Sequence, residues 1–102
     1  MSLTGKQRRY LRGLAHHLDP VLMVGQSGVS GPVIEKTLFE LNNHELIKVR
    51  VLEAAPAGAK ETGAELAKAS ESELVQVIGR MVVLYRRRAK KPAIRLPKVE
   101  ES

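Results

Sequence analysis

The residue types best placed for chemistry are the glycines and hydroxyls of Val24-Gly25-Gln26-Ser27-Gly28-Val29-Ser30-Gly31-Pro32. Gly25 and Gly28 lack a Cβ, so both can take positive φ and bring their amides against a ligand. Ser30 or Gly31 can cap a following helix whose first-turn N–H groups have no partner, and Pro32 suits that turn because it has no N–H to lose. Strand, G-x-x-G loop and helix N-terminus in that order form a cradle for a phosphate. The G-x-x-G-x-x-G spacing is not the dinucleotide fingerprint, and no Lys-Ser or Lys-Thr follows as in a P-loop. A nucleotide cofactor is therefore not expected.

Other reactive types do not assemble into a catalytic set. Ser27 sits on a glycine loop but lacks the G-x-S-x-G spacing and an evident Asp partner. His16 and His17 are adjacent and cannot both point to one site on a helix, while His44 belongs to another element. The chain has no cysteine, which excludes disulfides and thiolate metal sites and is compatible with the cytoplasm. No catalytic residue, metal, cofactor or small-molecule substrate is expected.

Charge favours a polyanionic partner. Against 11 Asp and Glu stand 17 Lys and Arg, giving a formal net charge of +6 in 102 residues and a pI near 10.0. The excess is concentrated at the two ends. Lys6, Arg8, Arg9 and Arg12 precede Leu18 without an acid, and the stretch from Arg80 to Lys98 holds Arg80, Arg86, Arg87, Arg88, Lys90, Lys91, Arg95 and Lys98, again without one. The glutamates gather in the middle. Such ends can converge in a fold and release counterions from a nucleic acid. Of 102 residues only Tyr10, Phe39 and Tyr85 are aromatic, so a platform of stacked rings is not expected and recognition should rest on backbone and shape. Tyr10 could stack one base or lie partly buried at a helix edge; Tyr85 reads as a core residue whose hydroxyl reaches the surface.

These residues must be positioned by a single small domain, expected over residues 1–97 with a polar tail over 98–102. Thr4-Gly5-Lys6-Gln7 has the form of a capping box and predicts a helix from Gly5 to about His17, stopped by Asp19-Pro20. Leu11, Leu14, Ala15 and Leu18 form its apolar stripe, leaving Arg9, Arg12 and His16 on the opposite face with Lys6 beside them. Val21–Val24 reads as a short strand. The helix after Pro32 buries Ile34, Leu38 and Leu41 and ends at Asn42-Asn43-His44, with Phe39 at its edge or under a loop. Leu46–Leu52 alternates as a strand with Ile47, Val49 and Val51 inward, so Lys48 and Arg50 share the other face.

A third helix is read from Ala59 to about Ala69, weakened by Gly63. Glu73–Ile78 and Met81–Arg86 form a hairpin whose Gly79-Arg80 suits a type II′ turn. The residues Ala93–Pro97 could add a brief extended piece. The order α-β-α-β-α-β-β implies an α/β (α+β) domain with three helices and a compact, mixed four-stranded sheet. No apolar run approaches the roughly 20 residues of a membrane span.

Several separated motifs together resemble one family. Leu3-Thr4-Gly5-Lys6-Gln7-Arg8-Arg9-Tyr10-Leu11-Arg12, Ala15-His16, Val24-Gly25-Gln26-Ser27-Gly28 and the hairpin Val75-Gln76-Val77-Ile78-Gly79-Arg80 with Val83-Leu84-Tyr85-Arg86 are similar to the CRM (chloroplast RNA splicing and ribosome maturation) domain in its single-domain bacterial form. The resemblance covers about Leu3 to Pro97. It implies a fold like the C-terminal domain of translation initiation factor three, RNA as the partner, and association with precursors of the large ribosomal subunit. Gly25, Gln26, Ser27 and Gly28 would be the loop approaching the RNA backbone, as in the G-x-x-G of KH domains, although KH domains set that loop between two helices. Members of the family often carry Lys where this chain has Gln26, so Arg8, Arg9 or Arg12 would supply the charge.

The expectation is a monomeric RNA-binding domain. Its basic first helix, glycine loop, Lys48, Arg50 and the Arg86-Arg87-Arg88 segment would form one continuous surface. Two other readings stay open: an adaptor that binds protein through the Glu-rich middle helix, and a non-specific nucleic-acid binder acting by net charge.

Overall fold

Thr4 and Gln7 cap the first helix reciprocally: the Gln7 N–H donates to Thr4 Oγ1 and the Thr4 N–H to Gln7 Oε1, each at 3.1 Å. In the computed structural model, which describes residues 3–98, α1 accordingly spans Gly5–Ala15. Then come β1 (Pro20–Val24), α2 (Gly31–His44), β2 (Leu46–Val51), α3 (Ala59–Ala69), β3 (Glu73–Ile78) and β4 (Met81–Tyr85). Of the polar tail, all but Lys98 lies outside the described residues.

The four strands form one mixed sheet in the order β1-β2-β4-β3, with β1 parallel to β2 and β4 antiparallel to both β2 and β3. The crossover through α2 makes the parallel pair, and the tight turn at Gly79-Arg80 makes the hairpin. Gly79 has φ +57 while Arg80 stays at negative φ, as a type II′ turn requires.

Strand alternation divides the core in two. Leu22, Val24, Ile47, Val49, Val51, Val82 and Leu84 face α2 and α3, meeting Leu41, Leu66 and Ala67. Leu46, Val75, Val83 and Tyr85 face the other way onto Leu11 and Ala15 of α1. The C-terminal segment closes this second core with Ile94 and Leu96, and the Gln7 side chain donates to the Pro97 carbonyl at 3.1 Å. It does so as coil rather than as the expected extended piece.

Several side chains sit elsewhere than their spacing suggests. The buried line of α1 is Gln7, Leu11 and Ala15; Leu14 and Leu18 are over a third exposed. The helix presents its i, i+4, i+8 row to the sheet, which turns Leu14 to the rim. Phe39 is 65% exposed on the outer side of α2, with no loop over it. Asn42, Asn43 and His44 remain helical, and the residue that turns the chain is Glu45, at φ 63 and ψ −40. Gly63 is set against β4: a Cβ there would lie 2.9 and 3.1 Å from the Val82 methyls, so its absence lets α3 approach the sheet.

Candidate nucleic-acid interface

The sheet separates two differently charged layers. On one side α2 carries Glu35, Lys36 and Glu40, and α3 carries Lys60, Glu61, Glu65 and Lys68. The mixed signs on α3 are those of a solvated helix face rather than an acidic docking surface. On the other side α1 carries Lys6, Arg8, Arg9 and Arg12 and no acid. Lys48 and Arg50 project from β2 into that same layer, since Ile47, Val49 and Val51 point to the opposite core.

Arg9, Arg12 and His16 are exposed on α1. Arg12 and His16 join Lys48, Gln76, Ile78, Met81 and Val83 around a cleft of 170 Å³ between the helix and the sheet. Arg8 is half-buried and donates from Nη1 to the Leu74 carbonyl, which ties α1 to β3 and turns part of that guanidinium inward. Tyr10 is 41% exposed beside Arg9.

The glycine loop follows β1 as a tight turn in which the Gly28 N–H donates to the Gly25 carbonyl at 2.9 Å. Gly28 alone takes positive φ, at +65. It is buried, and a Cβ on it would lie 2.9 Å from Pro56 Cγ. The glycine is therefore demanded from inside the protein. Gly25 has ordinary φ and space for a Cβ. What the loop offers to solvent is Gln26 and Ser27, both exposed, and their N–H groups have no acceptor among the described residues. Ser30 occupies the N-cap without a side-chain hydrogen bond, and Pro32 lies in the first turn.

The Arg-rich segment does not adjoin this loop. Because β1 is parallel to β2 and β4 antiparallel to it, the last residues of β1 and β4 lie at opposite ends of the sheet, roughly 15–20 Å apart for strands of this length. Arg86 is 3.6 Å from Glu71. Arg88 donates from its guanidinium to the carbonyls of Asn42, Asn43 and Lys91 at 3.4, 3.3 and 3.0 Å, closing the end of α2. Arg87 is exposed and lines a groove with Gln7, Arg95 and Lys98 at the start of α1. The single continuous surface is thus corrected: Arg86, Arg87 and Arg88 form a basic region at the opposite end of the sheet from the glycine loop.

Spacing gave no sign of Glu45. Its buried carboxylate accepts from the N–H groups of Arg88, Ala93 and Ile94 at 2.7–2.8 Å. Burial pushes its pKa up, but these N–H groups and the Arg88 charge outweigh that and hold it below the ordinary value. Beside it, the Tyr85 hydroxyl is buried without a partner among the described residues, contrary to the expectation that it would reach the surface. Burial and the Glu45 charge raise its pKa, against the opposing charge of Arg87.

Known proteins match this arrangement along most of its length. The model of the CRS1/YhbY (CRM) domain matches residues 3–86. The chain belongs to the CRM domain family. Among its relatives is a Bacillus subtilis protein named "Probable RNA-binding protein YqeI", 43% identical over 93% of this chain and 99% of that one. An "RNA-binding protein" of Haemophilus influenzae is 40% identical over 83% of this chain and 86% of that one. The CRM fold seen here is also that of a Staphylococcus aureus protein solved in solution: the TM-score is 0.80 and the identity 47%, over 94% of this chain and 100% of that one. No helix among the described residues is long and apolar enough to cross a membrane.

Proposed function

We propose that this CRM domain is an RNA-binding protein that acts, as a cytoplasmic monomer, on structured ribosomal RNA in precursors of the large subunit. The observation carrying the proposal is the acid-free helix α1, whose Arg9, Arg12 and His16 are exposed on the face of the sheet from which Lys48 and Arg50 project, while the glutamates of α2 and α3 lie behind the sheet. A surface of this kind neutralises phosphates and releases their counterions. The free N–H groups of Gln26 and Ser27 can add hydrogen bonds to a phosphate oxygen. The names borne by the relatives support RNA as the partner.

The test is binding to large-subunit ribosomal RNA, double-stranded DNA and a scrambled RNA across a salt series. Wild type is compared with Arg9→Glu/Arg12→Glu and with Gln26→Glu/Ser27→Glu; Gly28 is left alone because its substitution would strain the fold. The expected result is preference for the ribosomal RNA, weakened at least tenfold by the helix variant, since each lost phosphate contact reduces the salt slope by about one. Equal binding to all three nucleic acids, steep in salt, would leave only a charge effect and overturn the proposal.

A further inference from the structure

Beyond the end of α1, one cross-strand row of the sheet is left bare. Met23 pairs with Arg50, Arg50 with Met81, and Met81 with Ile78, so the four side chains cross all four strands on the α1 face. Met23 and Ile78 are 59% and 61% exposed; Arg50 is exposed and Met81 half-buried. Helix α1 covers the neighbouring rows over Val75, Val83 and Tyr85 but ends at Ala15. Exposed or half-buried apolar side chains on three of the four strands, with a single cation between them, mark an interaction surface rather than an ordinary solvated face.

Its surroundings say what it accepts. Arg12, His16, Lys48 and Gln76 stand around the adjoining cleft, and Arg50 lies within the row itself. Glu53 lines the depression on the other side of Arg50, where it is paired with Arg80 at 3.4 Å. An apolar floor inside a cationic rim fits a group that is flat and apolar on its face and attached to phosphates.

We propose that this row is a docking site for an unpaired RNA base, laid on Met23, Met81 and Ile78 with its phosphates on Arg12, Lys48 and Arg50. Thioethers make favourable contacts with aromatic faces, guanidinium groups stack on bases, and Met and Ile are residues used to wedge against bases. The row spans three inter-strand spacings, roughly 14 Å, ample for a base lying flat. The Gln76 amide, holding both a donor and an acceptor, stands where it can read a base edge. The site rests on the RNA-binding reading above and adds to it a selectivity for unpaired over fully paired RNA.

Two measurements test it. The first compares binding of an RNA hairpin that has a purine-rich internal loop with the same hairpin fully paired. Wild type is expected to favour the looped RNA roughly tenfold, the scale of one stacked base. Met23→Ser/Ile78→Ser is expected to abolish that preference while leaving affinity for the paired hairpin within about twofold, because both side chains are exposed and uncharged.

The second uses wild type alone and follows the methyl NMR signals of Met23 and Met81. The looped RNA should move both upfield by ring current, and the paired RNA should not. Equal affinity for the two hairpins, or methyls unmoved at saturation with looped RNA, overturns the base site and leaves phosphate binding by α1 intact. Binding to neither RNA overturns both proposals. Methyl shifts that depend on protein concentration without RNA overturn the base site in favour of a second copy of the chain.

Discussion

The Glu45 carboxylate accepts a 2.8 Å hydrogen bond from the Arg88 N–H, while the Arg88 guanidinium reaches back to the carbonyls of Asn42 and Asn43 at the end of α2. The two residues thus close a loop between the helix terminus and the segment leaving the sheet. Glu45 holds φ 63 with ψ −40, near the rare γ-turn conformation, which costs a non-glycine residue about 1–3 kcal/mol. The N–H groups gathered on its carboxylate offset that strain.

Replacing Glu45 by Ala takes the acceptor from the partly buried N–H groups of Arg88, Ala93 and Ile94 and keeps the strained backbone. We expect a loss of about 2–4 kcal/mol, measured by urea denaturation. Amide exchange at Ala93 and Ile94 should rise more than exchange in α3. A change below about 0.5 kcal/mol would show that the clamp contributes nothing.

The same clamp should be sensitive to acid. Because the folded carboxyl titrates below its ordinary value of 4.5, its stabilisation is complete above that value. It is lost as the pH falls through the folded pKa, since the unfolded chain takes up the proton first. The urea midpoint of wild type is expected to fall between about pH 5 and pH 3 more steeply than that of Glu45→Gln. Parallel slopes would assign the acid sensitivity to other carboxylates.

Tyr85 carries a buried hydroxyl without a protein partner among the described residues, and its pKa is raised by that burial and by Glu45. Tyr85→Phe removes the desolvated group and keeps the ring. Stability should be unchanged or higher by about 1 kcal/mol, against the loss of about 1 kcal/mol usual when a satisfied hydroxyl is removed. Thermal unfolding at neutral pH distinguishes the two.

Gly63→Ala opposes helix propensity to packing. Alanine would favour the helix by about 1 kcal/mol, but its Cβ would press on both Val82 methyls and come within 3.2 Å of Leu74 Cδ1. Overpacking of this kind costs about 1–3 kcal/mol. The variant is therefore expected to be less stable by up to about 2 kcal/mol, read from the denaturation midpoint; a more stable variant would show that α3 can move away from β4.

How much was legible in the sequence follows from how local each cause is. The Thr4–Gln7 cap, the alternation of Leu46–Val51 and the Gly79-Arg80 turn each depend on residues a few positions apart, so the elements and the mixed sheet are readable along the chain itself. The acid-free run Lys6–Arg12 likewise announces a basic helix, and the separated motifs announce the family. Periodicity is less able to choose which line of α1 faces inward: both Leu11-Leu14-Leu18 and Gln7-Leu11-Ala15 satisfy helical spacing, and only the sheet beneath selects the second.

The amino-acid sequence by itself determined the seven elements, their order, the basic character of α1 and the membership in the CRM family, because local hydrogen bonds, side-chain period and charge are written along the chain. Only the tertiary structure decided that Arg86, Arg87 and Arg88 lie at the opposite end of the sheet from Gln26 and Ser27, that Gly28 is a glycine because of Pro56, that Glu45 gathers N–H groups from residues 88–94, and that Met23, Arg50, Met81 and Ile78 stand in one row. Those facts depend on strand direction and register. They are fixed by burying both faces of the sheet at once, a condition that no short window of sequence contains.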